Sequence, residues 1–340
     1  SLGGPYLRRD GEGRGKPGRE KRGDRSRNRD RDKDKDKDKS RRSLKGRSRE
    51  EGEGKREERK SLSTAVSFPP GAELRVSVTS YAQLLAALSV ESIELIYLDE
   101  ASFSDSELPG LLRRIREHGR RAGLRLRRIE RTDRGRSSRE LLESLLPEGL
   151  LQAVLYRSVE QLSLPFEESL KRDLNPLEQV FDYTVYAWNR EAASVMRSLG
   201  AERLTYPVEL KLPELMRWKE EMDGLSLRTE LLVYGHLPMM VSANCIQKTA
   251  CQCRRGAPLR FLRDRTGREM PVRMYCKYCY NEIYNADSFW CGDLKEELSK
   301  LRADSLRFDF SAESAEDCEA ILRGSPPLRY TRGRLRSGVE

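Results

Sequence analysis

The sequence has very little histidine and no long apolar run. Its 340 residues include two histidines, and neither a His-Glu-x-x-His pattern nor a Ser/His/Asp arrangement is present, which argues against an ordinary hydrolase. A run of about 20 apolar residues and a signal-peptide pattern are also missing, so we expect no membrane span and a cytoplasmic location. The chain begins with Ser1 and not with Met, which indicates a fragment or a processed product.

The excess positive charge lies in the N-terminal tail. Residues 1–60 hold 24 basic and 14 acidic residues, whereas the rest of the chain holds 41 of each. Composition therefore gives no reason to expect phosphate binding by the folded part. Residues 1–70 have few apolar side chains and alternate acid with base at 29–39, so we predict a disordered linker to an upstream module. An arm for RNA or a membrane surface is the alternative.

From Glu73 onward, strand-like and helix-like segments alternate. The predicted strands are 74–78, 93–99, 124–129, 151–156, 182–188, 203–206, 230–234 and 306–310. Eight such units over about 250 residues are typical of a (β/α)₈ TIM-type barrel. We predict this α/β barrel over 71–325, followed by a basic C-terminal tail at 326–340. A doubly wound sheet is the alternative, but the first predicted strand is not followed by a Gly-rich phosphate loop.

The third predicted strand carries more charge than a buried barrel strand should. Arg125, Arg127 and Arg128 all lie in it. Either this strand is peripheral or the barrel is degenerate.

A long Cys-rich insertion follows the seventh predicted strand. The connection spans about residues 235–304, far more than a strand-to-helix loop needs. Its cysteines are Cys245, Cys251, Cys253, Cys276, Cys279 and Cys291. Cys318, by contrast, lies within a predicted helix, where we expect it in the core.

The spacing of these cysteines favours a metal site. Cys276 and Cys279 form a Cys-x-x-Cys pair, and Cys245 with Cys251 or Cys253 would complete four thiolates. Such a set suits zinc or a 4Fe–4S cluster, and spacing does not distinguish them. Reduced cysteines that only pack, or a thioredoxin-like redox pair, are the alternatives.

Candidate catalytic residues lie at predicted strand ends, where barrels place their active sites. They are His236, Glu209 and Asp309. The remaining strand-end candidates are Asp99, Asp182, Asn189 and Glu313, of which we expect Asp99 and Glu313 to cap helices or face solvent. His118 lies near a helix C-terminus, where an imidazole is ordinarily a cap.

Four segments resemble the collagenase-like peptidase family. They are YPVEL at 206–210, ELLVYGHLPMMVSANC at 230–245, CKYCYNEIYN at 276–285 and LRFDFSAES at 306–314. The resemblance covers about 73–325 and is strongest to the second barrel of long, multi-module bacterial members. It implies a barrel fold and an upstream barrel module as partner.

The resemblance also implies a cofactor and a reaction. Better-understood relatives hold an oxygen-sensitive 4Fe–4S cluster with four cysteines and hydroxylate RNA bases or quinone precursors without O₂. Cys245 corresponds to the cysteine of the family's Ser-Gly-Arg-Cys element, and Cys253 matches the next family cysteine better than Cys251. The family's Gly-Ala-Leu-Cys element ends here in Pro238, so the pair Cys276 and Cys279 would have to supply the missing ligand.

Three functions follow from the resemblance. The first is a module with a 4Fe–4S cluster that contributes to hydroxylation of RNA bases, with RNA as substrate. A peptidase, as the family label states, is the second. The third is a non-catalytic module that a zinc ion staples and that positions a substrate for the upstream barrel.

Overall fold

The computed structural model describes residues 68–69, 71–131, 133, 135–166, 173, 177–250, 253 and 259–336. The predicted linker at 1–70 therefore lies outside the described residues, apart from Phe68 and Pro69. The strands that form the barrel are β1 Glu73–Val78, β2 Ile93–Asp99, β3 Arg121–Arg125, β4 Ala153–Tyr156, β5 Glu178–Phe181, β6 Arg203–Thr205, β7 Arg228–Gly235 and β13 Ser305–Asp309.

These strands form a closed parallel barrel in chain order. Each strand pairs with the next, and β13 pairs with both β7 and β1. Gly235 lets β7 and β13 approach closely, because a Cβ atom there would lie 3.0 Å from Cβ of Asp309. The predicted (β/α)₈ barrel is confirmed. The third strand is neither peripheral nor a defect, because β3 pairs on both sides within the ring.

Helices cover the outside of the barrel. They are α1 Tyr81–Leu88, α2 Leu108–Glu117, α3 Ser138–Leu145, α4 Arg190–Ser198, α5 Leu212–Gly224 and α8 Ala315–Leu322. Most begin where the sequence supplies a cap: the side chains of Ser80, Ser137, Asn189 and Ser314 each accept a hydrogen bond from the first helical turn. The large hydrophobic core lies between these helices and the strands. Within the described residues, every helix is too short or too polar to cross a bilayer.

Two predicted strands are misplaced. The fifth strand is Glu178–Phe181, whereas the predicted segment 182–188 begins with Asp182 at the strand end and continues as the 3₁₀ turn Tyr183–Val185. The third strand ends at Arg125 instead of continuing to residue 129. Leu126 and Arg127 continue the alternation of β3 beyond the last residue of the strand, and Asp182 starts the 3₁₀ turn by accepting a hydrogen bond from the N–H group of Tyr183.

The amino-terminal half of the barrel interior is held together by buried ion pairs. Glu178 receives hydrogen bonds from Arg75 at 2.8 Å and from Arg203 at 2.7 Å. Burial alone would raise the pKa of Glu178, but these two guanidinium groups lower it to about 2. A small apolar cluster also lies in the barrel interior, formed by Leu95, Tyr97, Ala153, Leu155 and Val180.

The insertion after β7 folds as a second, antiparallel sheet in the order β8-β11-β10-β9. Its elements are β8 Pro238–Ser242, α6 Ile246–Ala250, β9 Leu259–Arg263, β10 Glu269–Tyr275 and β11 Tyr280–Tyr284. The chain returns through β12 Ser288–Trp290, which pairs antiparallel with β7, and through α7 Lys295–Leu301. Farther along, β14 Tyr330–Thr331 pairs with β12. The Cys-rich segment thus has strands of its own.

Candidate active site at the carboxyl end of the barrel

Charged side chains from several barrel strands meet at the carboxyl end of the barrel. Each is one of the last three residues of a strand or the first residue after it: Asp99, Arg125, Arg157, Asp182, Arg307 and Asp309. All are buried. Buried ions are costly unless they are paired, so this group is held by its internal contacts.

Arg307 is the best-paired member of this group. It donates hydrogen bonds of 2.6 Å to Asp182 and of 2.6 Å to Glu230 deeper in the barrel. Burial alone would raise the pKa of Asp182, but Arg307 and Arg157 lower it below its usual range. Asp182 is therefore an anion at neutral pH and a fixed acceptor, not a proton donor.

Other pairs in the group are too long to be hydrogen bonds. Arg125 lies 3.8 Å from Asp99, and Arg157 lies 3.9 Å from Asp99 and 3.6 Å from Asp182. As a result, Oδ2 of Asp99 and Nε and Nη1 of Arg157 have no hydrogen-bond partner among the described residues. Buried polar atoms of this kind are able to bond a polar guest.

The second sheet covers this charged group at the carboxyl end of the barrel. Glu282 on β11 accepts a hydrogen bond of 3.3 Å from Arg157, and both side chains are completely buried. Tyr284 donates to the same carboxylate at 2.6 Å. Burial alone would raise the pKa of Glu282, but Arg157 and Arg125 lower it. The second sheet is therefore bonded to the barrel through buried charges.

The Cys-x-x-Cys pair forms the turn of the β10–β11 hairpin. Cys276 and Cys279 are half-buried, and Cys279 adopts a left-handed backbone conformation with φ of 52°. Cys245 lies near the same end of the sheet, because Asn281 pairs with Ser242 and donates a 2.7 Å hydrogen bond to the carbonyl of Asn244. The structure thus brings the turn and the Cys245 segment together.

The other cysteines divide into an exposed one and two buried ones. Cys253 is exposed, and Cys251 lies outside the described residues. Cys291 and Cys318 are buried, and burial raises the pKa of both thiols, which fits packing. The part of the chain that the structure describes contains no group of three or more His, Cys, Asp or Glu side chains placed to hold a metal ion. Among the described thiols, Cys276 and Cys279 share one turn, and Cys245 lies near it.

An open cleft of about 670 Å³ lies beside the hairpin turn. One wall is formed by the loops after β1 and β2, and the other by β10 and the turn, including Cys276. Carboxyl ends of barrel strands are where barrel enzymes bind substrate. A ligand in this cleft would lie against both the barrel and the thiol turn.

The predicted catalytic residues are not all brought together. Asp309 belongs to the buried charged group, next to Gly235. His236 is the first residue after β7. Its Nδ1 lies 2.9 Å from the carbonyl of Asn285, and its Nε2 lies 3.6 Å from the carboxylate of Glu313. Within the described residues, no hydrogen bond or ion pair joins Glu209 to Asp309 or His236. Glu209 is half-buried, and burial raises its pKa.

Expectations for the remaining strand-end residues were partly wrong. Asp99 faces neither solvent nor a helix end, because it is completely buried. Glu313 does not cap α8, whose N-cap is Ser314; its carboxylate accepts hydrogen bonds from the backbone N–H groups of Ser311 and Ala312, which precede the helix. Asn189 caps α4, and His118 caps α2 through Nδ1 at 2.8 Å from the carbonyl of Arg114.

Sequence reasoning missed Arg157, Arg307 and Glu282. A signal was present, because Arg75, Arg125, Arg203 and Arg307 each sit in a strand where an inward apolar residue is expected. Charged residues that recur inside strands indicate a polar barrel interior. Glu282 carried no comparable signal, because its position over the barrel depends on how the insertion folds.

No protein-family model and no curated protein matches the sequence. Among solved structures, the U32 peptidase Mk0906 is similar over 72% of this chain and 94% of its own, with 12% identity and a TM-score of 0.41. An uncharacterized B. cereus protein is similar over 76% of this chain and 66% of its own, with 11% identity and a TM-score of 0.39. For the HpcH/HpaI aldolase from Desulfitobacterium hafniense, the shares are 48% and 78%, with 10% identity and a TM-score of 0.36. The barrel fold of this chain rests on its own strand topology.

Proposed function

We propose that this barrel is an enzyme module that binds a 4Fe–4S cluster through Cys245, Cys253, Cys276 and Cys279 and contributes to O₂-independent hydroxylation of RNA bases. The observation that supports the proposal best is the position of the thiol turn, which borders an open cleft at the carboxyl end of the barrel. A metal centre at the turn would be within reach of a ligand in that cleft. The RNA substrate rests on the family resemblance.

The chain's own residues have separable tasks in this proposal. The cluster, when bound, would supply electron-transfer or Lewis-acid chemistry. Arg273 and Lys277 line the open cleft and would face a polar substrate group there, whereas the unpaired donor atoms of Arg125 and Arg157 are buried outside its lining. Asp182, held as an anion by Arg307, keeps Arg157 in place. Glu282 and the tyrosines of the second sheet keep water out.

The test is anaerobic purification of the full chain, followed by iron and sulfide analysis and an absorption spectrum at about 400 nm. We expect a brown protein whose absorption is lost in a variant with Cys276→Ser and Cys279→Ser. Cys318→Ala is the matched control, because this buried thiol is far in sequence from the turn and should leave iron content unchanged. A colourless protein with stoichiometric zinc would overturn the cluster.

The RNA part needs its own measurement. Nucleosides from RNA of cells that carry the wild-type protein or the Cys276/Cys279 double variant should be compared by mass spectrometry. Loss of one hydroxylated nucleoside in the variant is the expected result, and identical profiles would contradict RNA modification.

The two alternatives predict different results. A peptidase needs a nucleophile or an activated water, and both His236 nitrogens face other groups, a backbone carbonyl and Glu313. Gelatin or peptide turnover that vanishes on Asp309→Asn would favour it. If the chain is the zinc-stapled positioning module of a longer protein, deletion of residues 61–340 from that protein should weaken substrate binding and leave the chemistry of the remainder intact.

A further inference from the structure

Lys277, the first residue between the two turn cysteines, is anchored to the barrel and not to its own sheet. Its Nζ donates hydrogen bonds to the carbonyls of Glu100 at 2.9 Å and Phe103 at 3.2 Å. It also lies 2.5 Å from the carboxylate of Asp105. Two backbone carbonyls and one carboxylate of the barrel therefore hold the ammonium group.

Tyr278, the second residue, is anchored to a different barrel loop. The side chain is fully buried, and the guanidinium of Arg127 stacks on its ring, 4.0 Å from the centroid. Gly135 packs against the same ring so closely that a Cβ atom there would lie 2.7 Å from it. Next to this contact, Arg131 donates a hydrogen bond of 3.1 Å to the carbonyl of Cys279.

The two anchors join the thiol turn to the loops after β2 and β3. Residues 101–105 of the loop after β2, which Lys277 holds, also form one wall of the open cleft. If the turn changes position, either these contacts must break or the cleft wall must move with the turn. We infer that Lys277 and Tyr278 are positioning residues that dock the thiol pair on the barrel, so that metal binding and the shape of the cleft are coupled. The inference rests on the metal site of the proposed function.

This arrangement separates ligand residues from docking residues. The thiols would bind the metal, while Lys277 and Tyr278 lower its dissociation constant by holding the thiols in place before it arrives. Coupling of this kind is reciprocal: a ligand that fixes the cleft wall strengthens metal binding, and metal strengthens binding in the cleft.

The test uses Co²⁺ as a probe, with thiolate-to-cobalt absorption as the readout, on the full chain under reducing, anaerobic conditions. Lys277→Met keeps the side-chain stem but removes the ammonium group, and we expect Co²⁺ to bind at least about tenfold more weakly. Lys277→Arg should recover part of the affinity. Lys300→Met on α7 is the matched control, because this lysine is exposed and remote in sequence from the turn, and it should bind Co²⁺ as the wild type does.

A second variant changes the barrel side of the contact. Asp105→Asn leaves the hairpin sequence intact and should also weaken Co²⁺ binding, and the double variant with Lys277→Met should lose less than the sum. The thermal midpoint of the metal-free proteins should change little. Wild-type affinity in both single variants would overturn the inference and leave the proposed function standing.

Two further outcomes are decisive. If Lys277→Met loses metal-free stability and Asp105→Asn binds Co²⁺ normally, Lys277 is only structural and the inference is wrong. If the wild-type chain itself shows no thiolate-to-cobalt absorption, the metal site of the proposed function fails.

Discussion

Buried charged side chains stabilise this barrel only when they are paired with an opposite charge. Glu282 and Arg157 illustrate this, because they come from different sheets, are completely buried and bond to each other. Removal of one member of a buried pair leaves the other charge without compensation, which is more costly than losing a surface pair. Such residues should dominate the mutational sensitivity of the carboxyl end.

Glu282→Gln should lower the free energy of unfolding by about 3 kcal/mol, because Arg157 loses its anionic partner. Urea unfolding measures this. Glu269→Gln is the control: Glu269 pairs with Arg263 on the surface, and its loss should cost less than about 1 kcal/mol. Equal effects of the two substitutions would contradict a structural pair between the sheets.

Titration of Glu100 should change the free energy of unfolding with pH in the direction opposite to that of acids whose pKa is lowered, such as Glu178. Burial raises its pKa to about 7, although Arg127 opposes the shift. The folded state therefore binds more protons than the unfolded state between about pH 4.5 and 7, so this group's contribution to stability falls as pH rises through that window. Glu100→Gln should remove this loss, which approaches about 3 kcal/mol for a shift of this size. Unfolding at pH 5 and pH 8 checks it; a wild type and variant that differ equally at both values would contradict it.

At the scale of elements, two glycines should respond oppositely to alanine. Gly235 ends β7, and a Cβ atom there would meet Asp309 at 3.0 Å; Gly110 lies in α2 with nothing within 4 Å. We expect Gly235→Ala to destabilise the protein by about 1–3 kcal/mol because β7 and β13 must separate. Gly110→Ala should stabilise it by about 0.5–1 kcal/mol through helix propensity. Thermal unfolding of both variants measures the contrast, and a stabilising Gly235→Ala would refute the close approach.

The sequence predicted those elements whose pattern depends on one apolar face. Strands β1, β2, β4, β6, β7 and β13 were placed close to their observed bounds, because each contains either alternating apolar residues, as in β1 and β13, or a short apolar run, as in β2 and β4. Strand β5 was missed because Glu178 faces a polar interior and Gln179 makes the other face polar as well, and Asp182 is a site residue just beyond it. For the same reason, Arg157 and Arg307 were not recognised as site residues.

The strands of the insertion were also beyond reach of the sequence analysis. Clustered cysteines indicated a separate unit, but β8 and β9 are edge strands with exposed Met239, Met240 and Phe261, which blurs the alternation. The contact of Glu282 with Arg157 joins residues far apart in the chain and depends on how the two sheets pack. Local pattern carries no information on such a contact.

At the scale of the whole molecule, charge is divided between the tail and the rest of the chain. Residues 1–60 hold the entire excess of ten positive charges. Deletion of residues 1–60 should therefore abolish most of the non-specific, salt-sensitive binding of the chain to single-stranded RNA. Filter binding at several salt concentrations measures this, with the intact chain as reference. Retention of the full salt dependence by residues 61–340 would show a basic surface on the barrel instead.

Because Phe289 pairs with Gly235, the insertion that forms the second sheet begins and ends at neighbouring positions of the barrel. The chain leaves the barrel at Gly235 and returns to the same residue after all four strands of that sheet have formed. A short Gly/Ser linker in place of residues 236–288 would therefore span only the gap between neighbouring strands. We expect such a graft to leave the ring of strands closed and to open its carboxyl end to water. A replacement sheet would need an acidic partner for Arg157, the role that Glu282 has in this chain.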